Sequence, residues 1–224
     1  KFKCMVDIDN HELKKIVINI NLRIRSDAKY FLNQLFKKIK FYKIDNDWLK
    51  YCSDIRKKYP ILIDKMKKEN KYVNSYYFVK MLSKLTKPND TIITDMGFSF
   101  TTTHQAIEIK DKQSFYTNSG HAPMGWGLPA AIGAFFAREK KINNLLCLSG
   151  EGGLQMNLQE LATIMHQKIP LKLFIFNNGG YLTIKQTQIL GFKGRIMGAD
   201  KKSGLSFPDY NKIAKAHKMS YFKV

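Results

Sequence analysis

The sequence predicts an α/β fold built on a doubly wound, mainly parallel sheet. Helix-like and strand-like segments alternate, beginning with a helix, at residues 76–85, 91–94, 124–138, 144–148, 158–166 and 171–176. The strand-like segments are short and apolar almost throughout, which is typical of strands that have both faces covered by helices. This alternation predicts one doubly wound domain over residues 72–224.

Residues 1–35 are interpreted as the tail of a second, truncated α/β domain. Residues 15–20 predict a strand without partner strands, and Ser26 and Asp27 are N-cap residue types for a helix beginning near Ala28. Because the chain starts without Met and stops inside an apolar stretch, we expect a segment of a longer protein.

Residues 36–71 predict a helical linker. Helix-like stretches at residues 48–56 and 61–68 are separated by Pro60. The lysines and aromatic residues here favour packing on a neighbouring domain over base stacking. In the next region, Ser75 is the expected N-cap of the helix at residues 76–85.

The net charge of +20, from 38 Lys and Arg against 18 Asp and Glu, raises the alternative of a polyanion-binding module. The lysines are spread along the chain, so a solvated basic surface is favoured and nucleic-acid binding is not expected.

The cysteines and the apolar stretches bear on the compartment. Cys4, Cys52 and Cys147 are far apart and form no CxxC motif, which predicts reduced thiols in the cytoplasm. Residues 122–137 contain two prolines and three glycines and fall short of the roughly 20 apolar residues of a membrane span. We therefore expect no membrane partner.

Two strand ends carry the residues that predict chemistry. The strand at 144–148 runs into Ser-Gly-Glu-Gly-Gly (149–153), and the strand at 171–176 runs into Asn-Asn-Gly-Gly (177–180). A single helix separates the strands, so their ends should face one pocket at the carboxyl edge of the sheet.

These ends offer hard oxygen ligands. The Glu151 carboxylate, the Asn178 amide oxygen and the Gly180 carbonyl suit Mg²⁺ or Ca²⁺. Mg²⁺ usually completes its shell with phosphate oxygens and water, so a single carboxylate predicts a phosphate-bearing ligand.

The glycines agree with such a ligand. Gly150, Gly152 and Gly153 would let the backbone approach a diphosphate closely. A capping-box-like pattern of Asn157 and Glu160 predicts a helix start near Asn157 that points N–H groups at the same anion. An ordinary glycine-rich turn is the alternative for Gly-Glu-Gly alone.

Gly-Glu-Gly (150–152), followed after 24 residues by Asn-Asn (177–178), resembles the thiamine-diphosphate signature, which normally reads Gly-Asp-Gly. Residues 7–9 and 12–13 look like the end of a central domain of the acetolactate-synthase branch. The other segments similar to the family or to this branch are residues 94–97, 125–134, 155–161 and 206–210.

The resemblance implies a role for each matching residue. Glu151, Asn178 and Gly180 would hold the metal, and Gly152 and Gly153 would contact the diphosphate of the cofactor.

The resemblance also implies roles outside the signature. Met124 matches the apolar catalytic residue that props the cofactor in a bent conformation, and the Ala122 carbonyl would accept from its 4′-amino group. Gly97 and Ser99 match a second diphosphate loop, in which the family carries polar side chains at Phe98 and Ser99. Asp95 is interpreted equally as a turn residue or as a functional one.

A Mg²⁺-dependent carboligase that decarboxylates a 2-oxo acid such as pyruvate is the function that the resemblance implies. It implies a homodimer or tetramer with the cofactor at the subunit interface, and a segment inactive by itself. FAD binding stays open. The alternatives are a simple 2-oxo-acid decarboxylase, a carboligase of sugar biosynthesis, and a structural homologue in which Glu151, one methylene longer than Asp, has abolished metal binding.

Overall fold

The computed structural model of the chain describes residues 2–15, 18–39, 43–68, 71–138 and 143–224. The chain divides into two compact units, Lys1–Tyr59 and Pro60–Val224. The domain boundaries expected from the sequence, after residues 35 and 71, stay predictions.

The first unit contains a small parallel sheet, in which Cys4 pairs with Leu22. Aspartates cap three of its helices, since the side chains of Asp9, Asp27 and Asp45 accept backbone N–H groups of the first turns. In chain order the elements are β1 (Cys4–Asp7), α1 (Asn10–Lys14), β2 (Leu22–Arg25), α2 (Ala28–Lys38) and α3 (Asn46–Lys58).

Three expectations for this unit are wrong. Residues 18–20 are not in a strand, while residues 16 and 17 lie outside the described residues. Pairing begins later because the Asn21 side chain accepts the Lys3 N–H, and the Lys3 carbonyl accepts from Asn21 and Leu22. The strand β2 also has a partner, β1, where none was expected. The Ser26 hydroxyl bonds the Asp27 carbonyl, and Asp27 alone caps α2.

The second unit contains a four-stranded sheet in which every strand pairing is parallel, in the order β4-β3-β5-β6. The strands are β3 (Thr91–Thr94), β4 (Ser114–Tyr116), β5 (Leu145–Gly150) and β6 (Leu171–Phe176). The predicted α/β class with a mainly parallel sheet is confirmed.

Helices cover both faces of this sheet. The helices described in this unit are α4 (Asp64–Lys67), α5 (Ser75–Leu85), α6 (Phe98–Ala106), α7 (Gly127–Arg138), α8 (Glu151–Gln155), α9 (Glu160–His166), α10 (Leu182–Gly191) and α11 (Tyr210–Ala216), with a 3₁₀ turn at Lys201–Ser203. One apolar cluster joins Ile93 and Cys147 to α7, α9 and α11. The other joins Ile92 and Leu148 to α5 and α6. Alternate residues of β3 and β5 thus supply both cores, as a doubly wound sheet requires.

Several helix starts differ from expectation. Asn74, not Ser75, caps α5, because its side chain accepts from Tyr76 N and Tyr77 N. The helix α4 covers only part of residues 61–68. The helix α7 begins at Gly127 rather than residue 124, because Gly125 has a φ of +85° that a helix cannot include.

The segment after β5 forms two short helices, α8 and α9, instead of one helix starting near Asn157. The expected capping box is wrong, because α9 has no side-chain cap and the Asn157 amide instead donates to the Gly125 carbonyl at 2.7 Å. Among the described helices, none is long and apolar enough to cross a membrane.

Candidate functional site

The ends of β5 and β6 meet at the carboxyl edge of the sheet, where the structure brings Glu151, Asn178 and Gly180 together. Glu151 is the first residue of α8, and its side chain is buried, with 1% exposed. One carboxylate oxygen, Oε1, accepts from Asn178 N at 3.1 Å and Gly180 N at 2.8 Å. Two N–H groups thereby hold the buried charge against the loop after β6.

The Asn178 amide completes a group of converging oxygens. One of its terminal atoms lies 3.2 Å from Glu151 Oε1 and 2.6 Å from the Gly180 carbonyl oxygen. With the nitrogen in this position, the amide donates to both oxygens. With the amide turned over, three oxygens face one another and need a cation between them. This set of one carboxylate and two neutral oxygens fits a hard divalent ion.

A second backbone segment fixes the loop after β6. Gly180 pairs with Asp200 in an antiparallel bridge, and Tyr181 N donates to the Ala199 carbonyl at 2.8 Å. A Cβ on Gly180 would overlap the Ala199 carbonyl oxygen, so this position requires glycine. This pairing could not be predicted from the sequence, since residues 199 and 200 carry no local pattern that indicates a strand.

Asp200 holds its own segment to α10. It accepts from Lys185 Nζ at 2.6 Å and forms a reciprocal capping box with Ser203. Hydrogen bonds from Lys185 and Ser203 lower the pKa of the Asp200 carboxyl to about 2. This pair anchors the helix that follows the predicted metal loop.

The three glycines at residues 150–153 have different neighbours. A Cβ on Gly150 would meet open space, one on Gly152 would overlap the Tyr181 ring, and one on Gly153 would overlap Asp95 Oδ2. Space for a ligand therefore accounts for glycine only at residue 150. At 152 and 153 the chain itself fills the space, and contact of their backbone with a diphosphate stays a prediction.

Asp95 is a buried acceptor between three segments, with 1% exposed. Its Oδ1 accepts from Met96 N at 2.8 Å and Gly125 N at 3.0 Å, and its Oδ2 accepts from Ser149 Oγ at 2.8 Å. Burial, reinforced by this carboxylate, raises the pKa of the neighbouring Cys147 thiol, which makes that thiol unreactive. The carboxylate ties the ends of β3 and β5 to the chain before α7.

The segment with Ala122 and Met124 reaches the site through Gly125. A Cβ on Gly125 would lie 2.8 Å from Met156 Cβ, and the Gly125 peptide is held by Asp95 on its N–H and by Asn157 on its carbonyl. Ala122 has a φ of +50° and donates to the Asn118 carbonyl at 2.8 Å. The backbone at Gly125, directly after Met124, is thus fixed against Asp95 and against the turn between α8 and α9.

Gly97 and Ser99 begin α6. Gly97, with a φ of +93°, is its N-cap, and the buried Ser99 hydroxyl donates to the Asp95 carbonyl at 3.3 Å. Their expected contact with a diphosphate stays a prediction.

Tyr210 ends the family-like segment 206–210, but the sequence predicted no role for it. Its hydroxyl donates to the Glu151 carbonyl at 2.8 Å, and burial raises its pKa, so it stays protonated as a donor. No local pattern could predict this contact, because the two residues are far apart in the chain.

Converging polar groups at the strand ends of a doubly wound sheet are typical of α/β proteins that bind a ligand at the sheet edge. Residues 95–224 match the family model described as thiamine pyrophosphate enzyme, C-terminal TPP binding domain. The chain therefore belongs to the thiamine pyrophosphate enzyme family; thiamine pyrophosphate is another name for thiamine diphosphate.

Acetolactate synthases are among the similar curated proteins. The large subunit from Lactococcus lactis subsp. lactis (strain IL1403) is 29% identical over 222 residues, which cover 98% of this chain and 36% of the relative. The isozyme 1 large subunit from Escherichia coli (strain K12) is 30% identical; the match covers 90% of this chain and 35% of the relative. The isozyme 2 large subunit from the same organism is 31% identical; the match covers 85% of this chain and 33% of the relative. The chain thus spans about a third of the length of these relatives.

Proposed function

We propose that this chain is the cofactor-binding part of a thiamine-diphosphate- and Mg²⁺-dependent carboligase that decarboxylates 2-oxo acids, similar to acetolactate synthase. The observation that carries the proposal is the convergence of the Glu151, Asn178 and Gly180 oxygens at the ends of two parallel strands. Membership of the thiamine pyrophosphate enzyme family supports the cofactor, and the similar synthases support the reaction class.

In this proposal Asn178, Glu151 and the Gly180 carbonyl hold Mg²⁺, while the backbone of Gly152 and Gly153 contacts the diphosphate. Thiamine diphosphate, when bound, supplies the electron sink for decarboxylation. The chain's own contribution is to bind and orient.

Met124 and the Ala122 carbonyl set the position of the cofactor's rings in this proposal. Asp95 accepts from the Gly125 N–H and Asn157 donates to the Gly125 carbonyl, so the backbone of the residue directly after Met124 is fixed. A backbone that is fixed beside Met124 in advance is preorganised, and preorganisation helps to position a reactive group.

The proposed partners are a small 2-oxo acid and a second copy of the intact chain, in a homodimer or tetramer; nucleic acid is not expected. The proposed compartment is the cytoplasm, because Cys4, Cys52 and Cys147 are free. A flavin absorption spectrum of the purified intact protein decides whether FAD is bound. Product analysis with pyruvate alone, and with added aldehyde or ketone acceptors, separates a synthase from a simple decarboxylase or a sugar-biosynthesis carboligase.

Thermal unfolding of the intact protein, with and without thiamine diphosphate and Mg²⁺, tests the proposal. A ligand at a hundredfold excess over its Kd stabilises the folded state by about 2.7 kcal/mol. We expect this stabilisation in the parent and its loss in Asn178→Ala. Asn177→Ala, a change of the same residue type one position earlier, is the control and should keep it. No stabilisation of the parent would contradict the proposal.

A further inference from the structure

We propose that Glu151 is a metal-independent latch, which orders the loop after β6 before any cation binds and thereby weakens cation binding. The identity of the cation, Mg²⁺, rests on the proposed function; the latch itself rests on the contacts of Glu151. The proposal concerns Glu151, which stands in place of the Asp of the Gly-Asp-Gly signature.

Groups of the chain itself engage the carboxylate of Glu151. Its Oε1 accepts from Gly180 N at 2.8 Å and Asn178 N at 3.1 Å, and its Oε2 also lies 3.2 Å from Asn178 N. With its nitrogen turned inward, the Asn178 amide adds a donor at 3.2 Å. A carboxylate with 1% exposure thus receives its hydrogen bonds from the chain itself.

The length of the side chain makes these contacts. An aspartate would withdraw the carboxylate by about 1.5 Å, one carbon–carbon bond. Contacts of 2.8 and 3.1 Å would then exceed hydrogen-bond range, unless the loop moved. With aspartate, a cation would have to bridge the two strand ends; with Glu151, the side chain bridges them directly.

A cation therefore competes with the latch. The Asn178 amide must turn over to present its oxygen, and it loses its donor contacts to Glu151 Oε1 and the Gly180 carbonyl. Oε1 must also share its lone pairs between the ion and two N–H groups. Both effects weaken cation binding relative to a shorter side chain.

Glu151→Asp in the intact protein tests the latch. Without cation or cofactor, we expect its Tm to fall by about 2–8 °C, because the loop loses its cross-link. We expect its affinity for Mn²⁺ alone, measured by electron paramagnetic resonance, to rise about tenfold, which corresponds to about 1.4 kcal/mol. Glu160→Asp, which shortens a glutamate of α9 that accepts from Thr163 Oγ1, is the control; it should leave the Mn²⁺ affinity unchanged and lower the Tm less than Glu151→Asp does.

Glu151→Gln separates length from charge. It keeps the reach and one acceptor oxygen, so its Tm without cation should lie between those of the parent and of Glu151→Asp. A Glu151→Gln protein less stable than Glu151→Asp would show that charge alone matters and would overturn the latch. If Glu151→Asp does not fold, the latch proposal requires that Glu151→Gln still folds.

An unchanged Tm in metal-free Glu151→Asp, or weaker Mn²⁺ binding than in the parent, would equally overturn the latch, since Glu151 would then be an ordinary ligand. The two proposals fail separately. If neither the parent nor Glu151→Asp binds Mn²⁺ or thiamine diphosphate, the proposed function is contradicted. The comparison of their unfolding without cation still decides whether the latch exists.

Discussion

Asp95 shows how a single buried carboxylate can determine the residue type of its neighbours. It accepts from Ser149 Oγ and from the backbone of Gly125, and its Oδ2 occupies the space that a Cβ on Gly153 would need. The glycine at residue 153 is therefore required by the packing of the chain on itself. This requirement exists whether or not a ligand is bound.

Gly153→Ala should destabilise the protein by about 1–3 kcal/mol, because its methyl group overlaps a buried carboxylate that three segments hold in place. Gly150→Ala is the matched control: its Cβ meets open space, so its free energy of unfolding should change by less than about 0.5 kcal/mol. Urea unfolding of both variants without cofactor measures the difference. Equal stability of the two variants would show that Asp95 can move aside.

Among the elements, the sequence predicted best those with a strong local pattern. The strands β3 and β6 were predicted with their observed ends, because each is a short apolar run. The strand β4 was missed because it has three residues, Ser-Phe-Tyr. The helix α6 was missed because its Phe-Ser-Phe-Thr-Thr-Thr start has high strand propensity and little helical periodicity.

The candidate site also has features that the sequence could predict and features that it could not. The group of Glu151, Asn178 and Gly180 could be picked out from the sequence, since these residues lie in the segments after two recognisable strands, and their role as ligands stays a prediction. The contacts that fix the ligands could not, because Tyr210 and the Ala199–Asp200 bridge approach from distant parts of the chain. The role of Asp95 has the same origin, since its donors come from later segments.

The attachment of α10 to the loop that follows it should depend on pH. The pKa of Asp200 is lowered from 3.8 to about 2 in the folded chain. A carboxyl group whose pKa is lowered by folding stabilises the protein above its unfolded pKa, and this contribution is lost as pH falls from about 4 towards 2. Asp200→Asn removes the titrating group.

The difference in free energy of unfolding between the parent and Asp200→Asn should therefore narrow over that pH range and stay constant above about pH 5. Denaturant unfolding across the range measures it. Lys185→Met, which removes the first partner of Asp200, should bring the titration midpoint of the carboxyl back towards 3.8, as carboxyl NMR shifts can show. A midpoint unaffected by Lys185→Met would contradict this account of the pair.

Over the chain as a whole, apolar burial is distributed unevenly. In the described part of Lys1–Tyr59, the buried residues are Leu13 and Ile20, and neither α2 nor α3 contains a buried residue. In Pro60–Val224, by contrast, both faces of β5 lie in apolar clusters. Since burial is the main source of stability, the two units should differ in local stability.

Hydrogen exchange followed by mass spectrometry should show this difference in the 224-residue chain. Backbone amides of α2 and α3 should exchange faster than those of β5 by at least about a hundredfold, equivalent to about 2.7 kcal/mol of opening free energy. The helix α5, which contains the buried Val79 and Leu82, is the internal control and should exchange more slowly than either α2 or α3. Protection of α2 and α3 equal to that of α5 would contradict the prediction, because it would mean that their apolar faces are covered.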